Sequence, residues 1–401
     1  MVEIEGGAAP DPAVQDWGAL RIIVAALAFR LFSAVLAMWT NIVFPLDQPL
    51  QFSFGPVSPF WDTFARYDSG AFYQIARYGY TEGPNAYVAG GRSTIAYFPV
   101  YPLLMRYVGR LFGRAPADFF LGGVIVSWVA FAVAMVFLLR LAKLDLPTRL
   151  AGRAVLLAAV FPFAFFFGVV YTEATFLAFA TAAFYLFRTR RWIAGGICGG
   201  LATATRVNGI LILPALAWFA WQAAEPTPRQ RTWAAVGLAL VASGFGAYCF
   251  YIYTLSGNPF EWAHVITLWG DTGYKPGGAP WLVLVRIGHT LLTHPYAFLT
   301  TERLAPYDSL NALAAIAFVV ATPFVWWRFG TGYGLLMAAN LWLPLSSGQV
   351  EGLGRYCAVM FPFFIWLASV RSRTVFFGAL IAFAMLYTLC LALFTTIHPL
   401  F

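Results

Sequence analysis

The sequence predicts an all-α polytopic membrane protein, on three observations. Hydrophobic residues make up 61% of the 401 positions and charged ones only 10%, well under the roughly 25% of a soluble domain. The apolar residues fall in runs of about 20, the length that crosses a bilayer. The basic residues gather at the ends of those runs, where they set topology. The net charge of +8 therefore belongs to orientation. No basic stripe points to nucleic acid.

Spans are expected near 18–41, 118–140, 150–169, 171–188, 192–206, 208–223, 233–255, 305–328, 331–347, 355–371 and 374–397, about 11 crossings in all. The pair 192–206 and 208–223 is short, and also reads as one bent span or a re-entrant hairpin. The whole of 1–401 reads as a single transmembrane domain. The leader before the first span is acidic, and that run is long enough to be a permanent span.

Charge gives the expected orientation. Arg140, Lys143, Arg149 and Arg153, then Arg188, Arg190 and Arg191, then Arg229 and Arg231, then Arg328, then Arg371 and Arg373 all fall on one side if the amino terminus is cytoplasmic. The other face receives two long segments, 42–117 and 256–304. It also receives Asp47, Asp62, Asp68, Glu82, Asp118, Glu173, Glu261, Asp271, Glu302, Asp308 and Glu351. Spans almost free of carboxylates argue against a proton-coupled transporter, for which Arg30 is the one candidate ionisable group near mid-depth.

The four cysteines, Cys198, Cys249, Cys357 and Cys390, lie in or beside apolar segments. With no CxxC or Cys/His cluster they read as buried thiols.

The first long loop carries WDTFARYDSGAFYQIARYGY (61–80) and STIAYFPVYPLLMRYVGRLFG (93–113). Both read as short helices along the membrane surface. Phe64, Asp68, Phe72 and Ile75 follow helical spacing, so Asp68 falls on an apolar face. It suits a helix N-cap. It also suits a general base, since a partly desolvated carboxylate accepts a proton from a hydroxyl nucleophile. Glu173, in VVYTEATF, reads as a first-turn acid favoured by the helix dipole or as a site acid. Arg206 and Asn208, in ATATRVNGI, occupy a turn between short apolar runs, and Arg355 lies in the turn QVEGLGRYCAV. Each arginine reads either as an interface anchor or as a clamp on a phosphate. The second loop offers His264 and Lys275 among solvated residues, without metal-ligand spacing. No P-loop, G-x-S-x-G or Rossmann fingerprint stands in a fitting context.

RYDSGAFYQIARYGY followed by AYFPVYPLLMR resembles the signature of the PIG-V mannosyltransferases and their bacterial relatives. VYTEATFLAF, GLATATRVNGILILP and GRYCAVMFPFF follow in the matching order, so the resemblance runs from about residue 60 to 370. It implies a GT-C glycosyltransferase bundle with surface helices in the first outer loop. The enzyme would take a polyprenyl-phosphate sugar, usually mannose, as donor. Carried over by position, Asp68 is the general base and Glu173 the later acid. Arg206 and Arg355 face the donor phosphate, and Arg66, Tyr73, Arg92, Asn208, His264 and Lys275 join the substrate-binding set. Tyr67, Ser69 and Tyr97 depart from the family pattern, which bears most on acceptor choice. Low lysine with high alanine, glycine and arginine looks bacterial.

The expected reaction is inverting transfer of a mannosyl (hexosyl) residue to a hydroxyl of a lipid or glycan acceptor at the non-cytoplasmic face. No cofactor is expected, although a divalent cation would be compatible with the loop acids. The alternatives are a GT-C enzyme with another sugar donor or a protein acceptor, and a non-enzymatic lipid or glycolipid transporter.

Overall fold

The computed structural model describes residues 18–47, 63–82, 93–223, 227–268, 278–300, 306–398 and 400. Among them every regular element is helical. The helices are α1 (Ala19–Val43), α2 (Ser69–Tyr78), α3 (Val100–Arg110), α4 (Pro116–Ala142), α5 (Thr148–Val160), α6 (Glu173–Arg188), α7 (Trp192–Thr203), α8 (Leu213–Ala223) and α9 (Pro228–Ser256). They continue with α10 (Glu261–Thr267), α11 (Pro280–Thr293), α12 (Pro295–Thr300), α13 (Pro306–Phe329), α14 (Thr331–Leu345), α15 (Leu353–Ala358), α16 (Phe361–Ala368) and α17 (Arg373–Thr395). Short 3-10 turns cover Thr94–Ala96, Pro162–Phe167 and Val207–Ile212.

Among the described residues five helices are long and apolar enough to cross a membrane: Ala19–Val43, Pro116–Ala142, Pro228–Ser256, Asp308–Phe329 and Arg373–Thr395. The other expected spans are shorter or broken. The segment 150–169 breaks because Phe161 precedes Pro162. Proline disfavours helical geometry in the residue before it, and Phe161 is extended (φ −54°, ψ 141°). The segment 355–371 divides into α15 and α16 before Pro362. Between α7 and α8 the chain passes through extended Arg206 (φ −146°).

The break after α5 exposes carbonyls that a lipid-facing helix cannot leave unmade. Arg30 of α1 supplies donors: Nη1 reaches Ala164 O at 3.0 Å and Nη2 reaches Ala159 O at 3.3 Å. Its guanidinium lies 3.9 Å from the Phe131 ring centroid. The residue is 1% exposed. Thus the guanidinium of Arg30 is committed chiefly to backbone carbonyls.

Two features place the site. First, α2 and α3 pack on the bundle. Phe72 and Ile75 of α2 and Tyr101 and Met105 of α3 are buried. Tyr101 OH bonds Gly123 O and Ser127 Oγ, both at 3.1 Å, while a Cβ on Gly109 would sit 2.8 Å from Phe119 Cα. Hence α3 runs antiparallel to α4, back toward its Pro116 end. Second, the segment before α6 is tied to the middle of that helix: Ser127 Oγ donates to Val169 O at 2.8 Å and Trp128 Nε1 to Gly168 O at 3.0 Å. Ser127 lies about 16 Å from Pro116 at 1.5 Å per residue. The start of α6 is therefore sunk well inside the bundle.

The far end of α6 is a different place. There Arg188 pairs with Asp145 and donates to Tyr333 OH at 2.9 Å. Arg153 reaches Val370 O at 3.2 Å. The basic clusters that these residues belong to converge at that end.

Candidate functional site

Asp68 precedes the first helical residue of α2, in the N-cap position, yet its carboxylate makes no capping bond. Helix α2 starts at Ser69, so Asp68 stands at a helix end rather than on a helical face. The turn before it is held otherwise. Ser69 Oγ accepts from Arg66 N at 3.2 Å and donates to Val170 O at 3.0 Å, and Val170 N donates to Phe64 O at 3.0 Å. Tyr67 has φ +50°, an uncommon backbone state for a bulky side chain, of the kind that collects at functional sites. The loop is thus clamped to the 169–170 segment, and the carboxylate is left to side chains.

Both carboxylate oxygens find donors. Tyr97 OH donates to Oδ1 at 3.1 Å, and Arg355 Nη1 donates to Oδ2 at 2.7 Å. Tyr97 follows a 3-10 turn capped by Ser93, and its carbonyl accepts from Tyr80 OH at 2.7 Å and Tyr248 OH at 3.2 Å. Arg355 sits in α15, which starts after Gly352 in the left-handed region (φ +71°). Asn311 Oδ1 accepts from Gly354 N at 2.8 Å and holds that helix start.

From Arg355 the chain of charges continues inward. Its Nε lies 3.9 Å from Glu173 Oε1, and the same oxygen is 2.5 Å from Arg206 Nη1. Arg206 Nε donates to Asn208 Oδ1 at 3.2 Å, and Asn208 Nδ2 donates to Asn340 Oδ1 at 2.8 Å. Glu173 is 1% exposed and Arg206 7%. Their pair is the closed end of the network. Asp68 and Arg355, each with 18% of its side chain exposed, are the open end. The two carboxylates balance the two guanidinium groups. An incoming anion must therefore compete with a carboxylate for an arginine.

Tyr171 lines the same place: its ring lies 5.6 Å from the Arg355 guanidinium. Its hydroxyl is buried without a hydrogen-bond partner among the described residues. Glu351 lies at the edge of the network. The residue as a whole is exposed, but partial desolvation of its carboxyl pushes it up from the ordinary range, Asp308 and Asp68 add to that, and Arg355 opposes it.

Of the residues singled out from sequence, Asp68, Glu173, Arg206, Asn208 and Arg355 come together. Three others do not join them. Arg66 turns to Asn41 Oδ1 at 3.3 Å and Thr395 O at 3.1 Å, anchoring the loop to α1 and α17. Tyr73 accepts from Arg77 at 2.7 Å and stacks on Phe120 with 5.0 Å between centroids. His264 is exposed and bonds Glu261 at 3.0 Å. Arg92 and Lys275 lie outside the described residues. Tyr97, noted in the sequence only as a departure from the family pattern, and Tyr171 and Asn340 were not placed among the site residues. Asn340 carries a signal, a polar side chain within an apolar run. Among the described residues no three His, Cys, Asp or Glu side chains gather as a metal would require.

Three solved structures resemble this one. The apo oligosaccharyltransferase of Archaeoglobus fulgidus aligns at a TM-score of 0.50 with 14% identity, over 96% of this chain and 56% of that one. The complex of the A. fulgidus enzyme with zinc and sulfate gives 0.47 and 17%, over 93% and 53%. The A. fulgidus oligosaccharyltransferase AglB with an inhibitory peptide and a dolichol-phosphate gives 0.42 and 12%, over 94% and 56%. This chain spans little more than half the length of those proteins. No protein-family model matches it, and no curated protein does. At 14% identity and a TM-score of 0.50, the likeness to the apo structure is one of fold alone: an all-α, GT-C-like bundle.

Proposed function

We propose that this protein is an inverting glycosyltransferase that moves a mannosyl or other hexosyl residue from a polyprenyl-phosphate donor to a hydroxyl of a lipid or glycan acceptor. The observation that carries the reading is Asp68, a carboxylate fixed between Tyr97 and Arg355 at the open end of a buried charge network. The resemblance to PIG-V-like enzymes supplies the mannosyl donor, and the GT-C-like fold supports a membrane glycosyltransferase by analogy.

In the proposed step the acceptor hydroxyl gives its proton to Asp68 as its oxygen attacks the anomeric carbon. The bond from that carbon to the phosphate oxygen breaks, and its electron pair leaves with the polyprenyl phosphate. One displacement inverts the anomeric centre. Arg355 turns from Asp68 to the departing phosphate and stabilises its charge, which frees the base as the donor binds. Arg206 stays with Glu173 and sets the charge balance behind it. The proposed site faces the non-cytoplasmic side of a bacterial plasma membrane, with the amino terminus in the cytoplasm.

The test compares wild type with Asp68→Asn in membranes supplied with radiolabelled polyprenyl-phosphate mannose. Label transfer by wild type and almost none by the variant, at equal protein level, is expected. Full activity in the variant removes Asp68 from the base role. No transfer by wild type from any polyprenyl-phosphate sugar defeats the enzyme reading. Reporter fusions near Gly90 and Gln349 should both report the non-cytoplasmic face.

A further inference from the structure

Beside the acid network lies a groove of about 610 Å³ between α3, α7 and α9, within the size range of small-molecule sites. It is polarised along its length. Helices α7 and α9 both run toward the site end, so Ile197 and Leu240 lie deep in the groove while Tyr251 lies near its rim. From Leu240 to Tyr251 the wall is about 16 Å long. The deep end is aliphatic, lined by Ile197, Leu201 and Leu240. The rim holds Tyr80, Tyr251 and Arg106. The groove also opens sideways: Leu103, Leu201 and Tyr251 are each 38% exposed and Ile197 53%. An occupant therefore comes from the bilayer.

Arg106 decides what kind of occupant. It is the one formally charged residue lining the groove. Its Nε is buried without a hydrogen-bond partner, and the side chain has no ion pair among the described residues. A cation beside an apolar wall is costly until an anion meets it. An aliphatic slot ending at an unpaired guanidinium matches a lipid with one phosphate at the rim and a chain running inward.

The groove is also joined to the network. Pro99 and Ala204 line it, and Val100 N donates to Ala204 O at 3.1 Å. Tyr80 and Tyr248, which line it too, hold the Tyr97 carbonyl, and Tyr97 OH holds Asp68. Pro99 to Arg106 is about 10 Å along α3. The donor phosphate already has Arg355, so a second cation at this distance serves a second phosphate. Resting on the transfer proposed above, we infer that the groove seats the acceptor, a phosphate-bearing lipid whose hydroxylated head group turns from Arg106 toward Asp68.

The test uses the full chain in phosphatidylcholine vesicles with and without phosphatidylglycerol, an anionic lipid with a hydroxylated head group. Native mass spectrometry reads the lipid retained by wild type, Arg106→Gln and Ala247→Trp. Ala247 is exposed on the groove wall, so tryptophan fills the groove without entering the core. Wild type should retain phosphatidylglycerol over phosphatidylcholine; Arg106→Gln should lose about tenfold of that retention, as the loss of one charged hydrogen bond implies, and Ala247→Trp should lose it by occupying the groove. Binding of polyprenyl phosphate should be unchanged. In native membranes, label from polyprenyl-phosphate mannose should enter a lipid that anion exchange retains, with the acceptor KM raised in both variants and kcat little changed. Equal retention of the two phospholipids overturns the inference, as does retention unaffected by either variant. Loss of polyprenyl-phosphate binding assigns the groove to the donor instead. Lost retention with an unchanged KM makes the occupant a resident lipid. If wild type transfers nothing, the transferase reading fails, and the retention measurement still reports on the groove by itself.

Discussion

Replacing Asp68 by asparagine should abolish transfer and, at the same time, tighten the binding of the sugar-free polyprenyl phosphate. The second effect follows from the ion pair at 2.7 Å. A phosphate that recruits Arg355 must first break a charge-assisted bond, worth about 1.5–3 kcal/mol. Asparagine keeps the shape and one acceptor oxygen but loses the charge, so the ion pair becomes a hydrogen bond from a charged donor to a neutral acceptor, at the low end of that range, about 1.5 kcal/mol. The competing interaction thus weakens by up to about 1.5 kcal/mol, a gain of up to about 10-fold in affinity. Transfer should fall by about 10²- to 10⁴-fold with the base removed. Calorimetric titration of detergent-solubilised protein with polyprenyl phosphate reads the first quantity and labelled transfer reads the second. Tyr97→Phe is the control. It removes a donor to Oδ1, leaves the Arg355 pair, and should bind the lipid phosphate as wild type does. Weaker or equal affinity in Asp68→Asn would refute the exchange of Arg355 between carboxylate and phosphate.

Glu173→Gln strands Arg206 at 7% exposure. Breaking one side of a buried pair costs about 3–5 kcal/mol, so thermal unfolding in detergent should shift down by several degrees, and a variant of wild-type stability would show the pair to be dispensable. A Cβ on Gly354 would collide with the Phe163 ring. Gly354→Ala should therefore displace the adjacent Arg355 and lower kcat while leaving the protein in the membrane, which activity at equal protein level checks. Glu351 gives a pH signature. Its folded carboxyl titrates above the ordinary range, so the folded state holds the proton that the unfolded chain has already released, and stability falls as pH rises from the unfolded pKa, about 4.3, through the folded one. Glu351→Gln should flatten that slope in pH-dependent unfolding. An unchanged slope would assign it to other groups.

Much of the architecture was legible because its signals are local. A run of apolar residues, a proline that halts a helix at Phe161, and a glycine that starts α15 each act within a few positions. Among the described residues five helices are each long and apolar enough to cross a membrane alone, and the remaining expected spans consist of shorter or broken helices, because an apolar run reports burial, not continuity. The run 150–169 stays apolar through its break, and the carbonyls freed there are satisfied by Arg30, more than a hundred positions earlier in the chain. No window around Pro162 contains that residue.

The site shows the same division more sharply. Asp68 stood out locally as an acid among apolar neighbours, and the local grammar offered a helix cap to explain it. What displaces the cap is a partner 287 positions away, Arg355, and another 29 away, Tyr97. A capping bond to a backbone N–H is already charge-assisted through the carboxylate, but the N–H offers only a partial charge, whereas Arg355 offers a full one and forms an ion pair. Where an arginine is within reach, the carboxylate goes to it. Arg66 and Tyr73 illustrate the converse. They flank the acid in sequence, but α2 begins only at Ser69, so Arg66 belongs to the turn that binds α1 and α17. Tyr73 lies past the first helical turn and packs toward Phe119 and Phe120. Nearness along the chain did not decide membership of the network. The acid joined it because its helix begins one residue later and leaves its carboxylate free to find long-range donors.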